Sequence, residues 1–344
     1  MDDLLIFWWT WTWASIWQTA FLGLIIWALD AVLRARVYPQ VRFALWSLVL
    51  LKFVLSPFFF SPLSITAPYL VEGSVPYILL SGSAMAEHAM LGTRFIEGAL
   101  WHGVMLTQAD AAPIWLGAAA VIWAAVAALL LVTYGRRLRT ISAAIEVEAD
   151  HPLPDHVLPL AEEVAAELRL KRLPRFVVTR YYRVPAVFGL RRPVILLPEP
   201  MLERFSETDL RNILRHEFAH IRRGDLLFKH LLLIVQMLNW FNPVAYILRR
   251  RMVALQEMCC DMAAVRNMAD QRSYRRTLLK SAEYLTRRSG LTTVAAFGFF
   301  GQPDSVITRL RWLERDLTRV RMLDYGIPIA IFMTLLKIFV FPMG

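Results

Sequence analysis

The stretch Ser206-Glu-Thr-Asp-Leu-Arg-Asn-Ile-Leu-Arg-His-Glu-Phe-Ala-His220 decides the fold of the polar part of this chain. A serine followed by acidic residues is typical of a helix start, and the apolar residues after it recur at helical spacing, which predicts a helix over residues 207–222. His216 and His220 would then lie one turn apart on one face, where both imidazoles can bind a single zinc ion. Glu217 beside them is the predicted catalytic base, because it can take a proton from water that the metal has activated.

A second predicted helix supplies the remaining ligand. Residues 253–265 contain neither Pro nor Gly, and Glu257 and Asp261 lie four positions apart on one face of that helix. Glu257 is the predicted third protein ligand of one zinc ion per chain, which leaves the fourth position to water. Asp261 is predicted to accept the second N–H of a ligating histidine. The alternative interpretation is a surface helix with incidental histidines and solvated acids.

The composition indicates a membrane protein. Of the 344 residues, 57% are hydrophobic and only 19% are charged, which is too apolar for a soluble chain of this length. Residues 4–29, 41–60 and 113–134 have the length and low charge of membrane spans, and residues 327–343 form a fourth, marginal one. We therefore predict a membrane α-helical bundle in which residues 135–326 are inserted as an α+β, zincin-like metallopeptidase domain.

The basic residues predict the orientation. All but six of the 38 Lys and Arg residues lie in 135–326, and the loop 61–112 contains a single one. The positive-inside rule places the N-terminus and this loop outside, and residues 135–326 in the cytoplasm. The chain then divides into a membrane module 1–134, a cytoplasmic domain and a last span 327–344. The net charge of +10 is assigned to contact with membrane lipid, since no motif that reads nucleic acid is present.

A short strand is predicted to line the substrate site. Residues 176–179 and 194–197 have the pattern of buried strands, and residues 183–189 between them have that of an edge strand, because Pro185 cannot donate to a central ladder. An exposed edge can hold a substrate backbone by strand addition. The predicted substrate-binding residues are Pro185, Ala186, Val187, Phe188 and Gly189. The alternative is a hairpin that only supports the core.

Several further residues have predicted roles. Cys259 and Cys260 are interpreted as free, packed thiols in a reducing cytoplasm. Lys52 is expected to face a polar bundle interior, where it has a signalling role; the alternatives are snorkelling and a structural partner. Tyr274 either stabilises an oxyanion or packs in the core. Residues 226–240 are predicted to form a buried or membrane-grazing helix, because a single crossing would separate the ligands of one zinc ion.

Four segments of this chain resemble the BlaR/MecR family of membrane zinc peptidases, the signal transducers of β-lactam resistance. They are Val184–Pro198, His216–Asp225, Trp240–Pro243 and Glu257–Asp261. The resemblance implies a gluzincin-type endopeptidase of the bacterial inner (plasma) membrane with ligands His216, His220 and Glu257 and base Glu217. It also implies regulated proteolysis of a cytoplasmic protein, a transcriptional repressor. Asp225 belongs to the family pattern, and we interpret it as a structural carboxylate at a helix end.

The resemblance further implies self-cleavage between the peptidase core and the last span, for which residues 291–302 and the bond Ala296–Phe297 are the predicted site. We expect no penicillin-binding sensor domain in this chain, which stops at Gly344. The stimulus would then arrive through a separate sensor protein, a homo-oligomer or the outer loop, where residues 84–106 could form an amphipathic helix. The alternative function is a non-catalytic membrane receptor that uses the peptidase fold to bind a partner. The intact Glu217, which binding would not need, favours the peptidase.

Overall fold

The computed structural model of this protein describes two compact units. The described residues are 2–33, 37–55, 114–148, 153–180, 182–265, 268–288, 303–314 and 333–334. The first unit comprises 1–133, 234–248 and 322–344, and the second comprises 134–233 and 249–321.

The first unit contains the predicted spans. It is built on α1 (Asp2–Leu33), α2 (Pro39–Val54) and the first part of α3 (Ile114–Glu148). Residues 7–33 and 114–147 are long and apolar enough to cross a membrane, judged by length and composition, and they overlap the first and third predicted spans. The 16 residues of α2 cover about 24 Å, less than the roughly 30 Å of a bilayer core. The end of the second predicted span and nearly all of the fourth lie outside the described residues.

Buried polar pairs hold the first unit together. Arg42 at the start of α2 makes a two-pronged ion pair with Asp30 near the end of α1, with Nε–Oδ1 and Nη2–Oδ2 distances of 2.5 and 3.1 Å. Asn242 donates to the Thr19 hydroxyl at 3.2 Å. Lys52 is buried, as predicted for a cation that faces the interior.

The second unit contains a three-stranded sheet. Its strands are β1 (Arg175–Thr179), β2 (Ala186–Phe188) and β3 (Val194–Pro198), in the order β1-β3-β2. β3 pairs in parallel with β1 and antiparallel with β2. β2 therefore lies at an edge of the described sheet, and the predicted edge position of this segment is confirmed.

The two faces of the sheet pack against different helices. Alternate strand residues point to opposite faces, and one set, which includes Val187 and Ile195, joins the core formed with α4 (Val157–Glu167) and with a helix that carries Phe218. The other set includes Leu196 and packs against Ile145 of α3. The third predicted membrane span ends at Tyr134, and α3 continues beyond it to Glu148, so that the last turns of this helix cover the outer face of the sheet.

The remaining described helices include those that carry the predicted metal ligands. They are α5 (Glu199–Arg204), α6 (Glu207–Arg223), α7 (Asp225–Leu238), α8 (Pro243–Ala264), α9 (Met268–Arg288) and α10 (Pro303–Leu313). The prediction of a helix over residues 207–222 is confirmed, as is that of a helix around Glu257. α7 corresponds to the helix predicted over residues 226–240 and has nearly the same bounds. α8 begins at Pro243, and the Asn242 side chain caps its start by accepting from the Val244 N–H.

The start of α6 is stabilised by a capping box. The Ser206 hydroxyl accepts from the Asp209 N–H, and the Asp209 carboxylate accepts from the Ser206 N–H. Asp209 also accepts from Thr277 at 2.8 Å and pairs with Lys280 at 2.7 Å, both on α9. Burial alone would raise the pKa of Asp209, but the contacts with Lys280, Thr277 and Ser206 outweigh it and lower this pKa below its ordinary 3.8.

Asp209→Asn is expected to lower the free energy of unfolding by about 1 kcal/mol at pH 7, since the charge-assisted contacts weaken. The pKa of Asp209 is lower in the folded than in the unfolded protein, so its contribution is complete above about pH 4 and disappears as the pH falls through the folded value. Thermal unfolding of the native and variant proteins at pH 7 and in acid measures this. Glu207→Gln, on the exposed side of the same turn, is the control. A difference between native protein and Asp209→Asn that grows in acid would contradict the prediction.

Candidate metal centre

The two histidines of the motif lie side by side on α6. The ring centroids of His216 and His220 are 4.9 Å apart, and the rings are nearly perpendicular. The side chains are almost shielded from solvent, since His216 and His220 are 8% and 5% exposed. α6 ends one residue before Gly224, whose φ of 69° is left-handed, a conformation that glycine adopts without strain.

α8 brings the third predicted ligand to the same point. Glu257 Oε2 lies 3.3 Å from His216 Nε2, and Glu257 Oε1 lies 3.5 Å from His220 Nε2. Donors placed about 2.0–2.1 Å from a tetrahedral zinc ion are separated by roughly 3.3 Å. One donor atom from each of the three residues lies within 4.8 Å of the other two. The donor set therefore fits a zinc ion in both chemistry and spacing.

The second nitrogen of His216 contacts two side chains behind it. Nδ1 lies 2.9 Å from the Tyr274 hydroxyl and 3.3 Å from Asp261 Oδ1. The Tyr274 hydroxyl donates to Asp261 at 2.7 Å, which lets it accept from Nδ1–H, and Nε2 points towards Glu257. Asp261 thus lies where helical spacing predicted it. Tyr274 is turned to Nδ1, away from Nε2, which argues against the oxyanion role.

The second nitrogen of His220 contacts Asp225, the carboxylate whose role the sequence left open. Asp225 Oδ2 lies 2.9 Å from His220 Nδ1, and the Cys260 thiol lies 3.2 Å from the same nitrogen. The left-handed turn at Gly224 directs the chain back, so that the first residue of α7 reaches the histidine four positions before that turn. Asp225 is therefore an orienting contact of His220 as well as a helix-end residue.

Two basic residues complete the surroundings of Glu257. Lys229 Nζ, on α7, lies 3.4 Å from Glu257 Oε1, and Arg309 Nη1, on α10, lies 3.5 Å from Oε2. Arg309 also donates to Asp261, from Nε at 2.8 Å and from Nη2 at 2.6 Å. Sequence reasoning missed both basic residues, because no local pattern connects them with the motif.

These contacts set the ionisation of the site. Burial alone would raise the pKa of Asp261, but the charge of Arg309 and the hydrogen bonds from His216 and Arg309 lower it to about 2. Burial also opposes ionisation of Glu257, but the nearby charges, that of Lys229 first, and the hydrogen bond with His216 together outweigh it and hold the pKa well below the ordinary value. Burial lowers the pKa of His216, whereas its hydrogen bonds with Asp261 and Glu257 raise it to about 9. A zinc ion would therefore have to displace a proton from His216.

Glu217 lies on α6 directly after His216, and the edge strand β2 lies beside the end of that helix. Glu217 follows His216 at about 100° around α6 and is 8% exposed. Between β2 and the end of α6 lies a cleft of about 80 Å³. Its walls are mostly apolar and also include one of the predicted ligands; they are formed by Val187, Gly189, Leu190, Pro193, His220, Ile221, Gly224, Leu226 and Leu227.

Other predicted residues have different outcomes. Cys259 and Cys260 are free and buried, as predicted. Burial raises the pKa of the Cys259 thiol to about 12, so it stays protonated at neutral pH. Pro185 lies just before the first residue of β2, and Gly189 lies just after the last. The self-cleavage segment 291–302 and the loop segment 84–106 lie outside the described residues.

The sequence of this chain is similar to those of known proteins. A family model described as BlaR1 peptidase M56 matches residues 10–313. The Methicillin resistance mecR1 protein of Staphylococcus aureus is 28% identical over 131 residues, which are 38% of this chain and 22% of that protein. Regulatory protein BlaR1 of Bacillus licheniformis is 30% identical over 115 residues, 33% of this chain and 19% of that protein. The matched part spans about a fifth of the length of these relatives.

Proposed function

Because this chain belongs to the BlaR1 peptidase M56 family, a metallopeptidase family, we propose that it is a membrane-embedded zinc endopeptidase. His216, His220 and Glu257 are the proposed ligands of one zinc ion, and Glu217 is the proposed base. The observation that carries the proposal is the spacing of the donor atoms, with carboxylate oxygens 3.3 and 3.5 Å from the two Nε2 atoms. Coordination by these three side chains leaves one position for water, as catalytic zinc sites require.

The side chains around this position have separate tasks in the proposed mechanism. Zinc would supply a Lewis acid that polarises the peptide carbonyl and makes water acidic near neutral pH. Glu217 accepts a proton from water and returns it to the leaving amine. Asp261, through Tyr274, and Asp225 keep the two imidazoles in the tautomer that presents Nε2.

The edge of β2 is the proposed position of the substrate backbone. Antiparallel pairing with β3 leaves the other side of β2 for an added strand, and the cleft beside Val187 and His220 can take a side chain of that strand. Residues 185–189 thus bind an extended segment of a protein substrate next to the metal centre. The apolar walls of the cleft favour an aliphatic or aromatic side chain.

The cellular role of this site is proposed from topology and relatives. We place the peptidase domain in the cytoplasm and the N-terminus outside, in a multi-pass protein of the bacterial inner membrane. The substrate is a cytoplasmic protein, a transcriptional repressor, in keeping with a relative named as a regulatory protein. Self-cleavage near Ala296–Phe297 and input from a sensor protein, a second copy of this chain or the loop 61–112 belong to the same proposal.

Cells that carry the native chain are expected to contain cleavage products that cells with Glu217→Gln lack. Quantitative proteomics of new protein termini in the two strains measures this and identifies the substrate in the same experiment. The two chains must be present in equal amounts, which immunoblotting of membranes controls. Identical sets of termini under every inducing condition would favour the receptor that binds without cutting.

A further inference from the structure

Among the described residues, α10 is the last helix of the second unit, and its Arg309 side chain reaches the metal centre. Arg309 forms a two-pronged ion pair with Asp261, with N–O distances of 2.8 and 2.6 Å. The Asp261 side chain is completely buried, and that of Arg309 is 13% exposed. A buried carboxylate whose charged partner is removed is costly to keep in the folded protein. Loss of Arg309 should therefore disturb the structure around Asp261.

The same guanidinium touches both a proposed ligand and the group that orients another. Arg309 Nη1 lies 3.5 Å from Glu257 Oε2, the oxygen that faces His216 Nε2 at 3.3 Å. Through Asp261 and the Tyr274 hydroxyl, Arg309 is also connected to His216 Nδ1. Arg309 therefore contacts Glu257 directly and is linked to His216 through Asp261 and Tyr274, so it can influence the orientation of both proposed ligands.

Packing of α10 on α9 fixes the place of this arginine. Leu313 is buried in a cluster with Tyr274 and Leu278. Gln271 of α9 donates to the carbonyl oxygen of Leu313, and Arg275 pairs with Glu314 at 3.0 Å. The contacts of Gln271 and Arg275 with the end of α10 do not involve the metal centre, so they can hold α10 in place independently of it, whereas Tyr274 belongs both to this packing and to the contacts behind His216.

We propose that Arg309 is a positioning residue of the metal centre, so that α10 must be docked for His216 and Glu257 to bind the metal in their catalytic arrangement. The inference rests on the proposed function, and it adds a requirement from a helix 52 positions beyond Glu257. A salt bridge that only stabilised the fold could join α10 to a carboxylate anywhere on the surface of the second unit. This one connects it with the two acids that surround His216.

Five variants of the detergent-purified full chain test the inference, and three of them are single changes in α10. Arg309→Met removes the charge and keeps much of the volume, Arg309→Lys keeps the charge but loses the two-pronged geometry, and Arg311→Met is the control on an exposed position of the same helix. Zinc affinity is measured by competition with a chelator. The orientation of the ligands is measured by the visible absorption spectrum of the cobalt-substituted protein.

The expected result is a zinc affinity about 10–100-fold weaker in Arg309→Met, the range found when an orienting contact is lost. The cobalt spectrum should change as well, with Arg309→Lys between Arg309→Met and the native protein, and Arg311→Met should match the native protein. In the double variant Arg309→Met/Asp261→Asn the unpaired charge is absent, so the loss in affinity should be smaller than the product of the losses measured singly in Arg309→Met and in Asp261→Asn. If Arg309→Met does not fold, Arg309→Lys decides the question, because a weaker zinc affinity and a changed cobalt spectrum are expected there as well.

Native zinc affinity and a native cobalt spectrum in Arg309→Lys, together with independent losses in the double variant, would overturn the positioning role. The proposed function would survive that result, because it depends on the ligands and on Glu217. Conversely, a native chain that binds zinc through these ligands but cleaves nothing would end the proposed function, while the effect of Arg309 on the cobalt spectrum would remain measurable.

Discussion

Purified Glu217→Gln protein is expected to retain about one zinc ion per chain and to lose peptidase activity by at least about 100-fold. Glutamine has nearly the shape of glutamate but cannot accept a proton, so the change removes the base and leaves the three proposed ligands. The measurement is the initial rate of cleavage of a substrate identified in cells, together with the metal content of the same sample.

Glu207→Gln is the matched control for this experiment. It makes the same chemical change on the same helix, at an exposed side chain that pairs only with Arg211 at 3.2 Å among the contacts described. Its rate and zinc content should equal those of the native protein. Native activity in Glu217→Gln would show that another group is the base, and the mechanism proposed above would fail.

Replacement of a proposed ligand should have a different signature, with metal and activity lost together. His216→Ala, His220→Ala and Glu257→Ala are each expected to weaken zinc binding by more than about 100-fold, beyond the range for orienting contacts. Each leaves only two protein donors, and Glu257→Ala also leaves Lys229 and Arg309 without a shared carboxylate. Metal content after dialysis against a weak chelator measures the loss.

His156→Ala is the control for the histidine variants, since His156 is exposed at the start of α4 and far in sequence from the motif. It should keep the native zinc content. If Glu257→Ala kept one zinc ion per chain under the same dialysis, Glu257 could not be a ligand, and the third donor would have to be sought among the other acids of the site.

The parts of the site that could be predicted from sequence are those that depend on helical spacing. His216 and His220 lie on one face because they are four residues apart, and the same argument placed Asp261 beside Glu257. The edge position of residues 183–189 could also be predicted locally, because Pro185 has no N–H to donate to a neighbouring strand. Each of these inferences needed only the geometry of a single element.

The other contacts depend on packing between elements and could not be predicted in this way. Asp225 reaches His220 only because Gly224 turns the chain, and Gly224 was a visible signal that the sequence reasoning did not use. Lys229, Tyr274 and Arg309 come from three helices whose relative positions no local pattern determines. The continuation of α3 to Glu148 was missed because charged residues after Tyr134 suggested a boundary, whereas Ile141 and Ile145 keep helical spacing.

Apart from Glu217, the described residues around the proposed zinc site include three carboxylates that face three basic side chains. They are Asp225, Glu257 and Asp261 on one side and Arg223, Lys229 and Arg309 on the other. With Glu217 and a divalent cation included, one positive charge remains in excess, in surroundings that shield it poorly because little water reaches them. When Glu217 accepted a proton from the attacking water, negative charge would move from Glu217 to the oxygen of the carbonyl under attack, and the net charge of site and substrate would stay the same. The excess positive charge would then stabilise that oxygen more strongly than the neutral carbonyl of the bound substrate, which is the preference that the proposed peptidase needs.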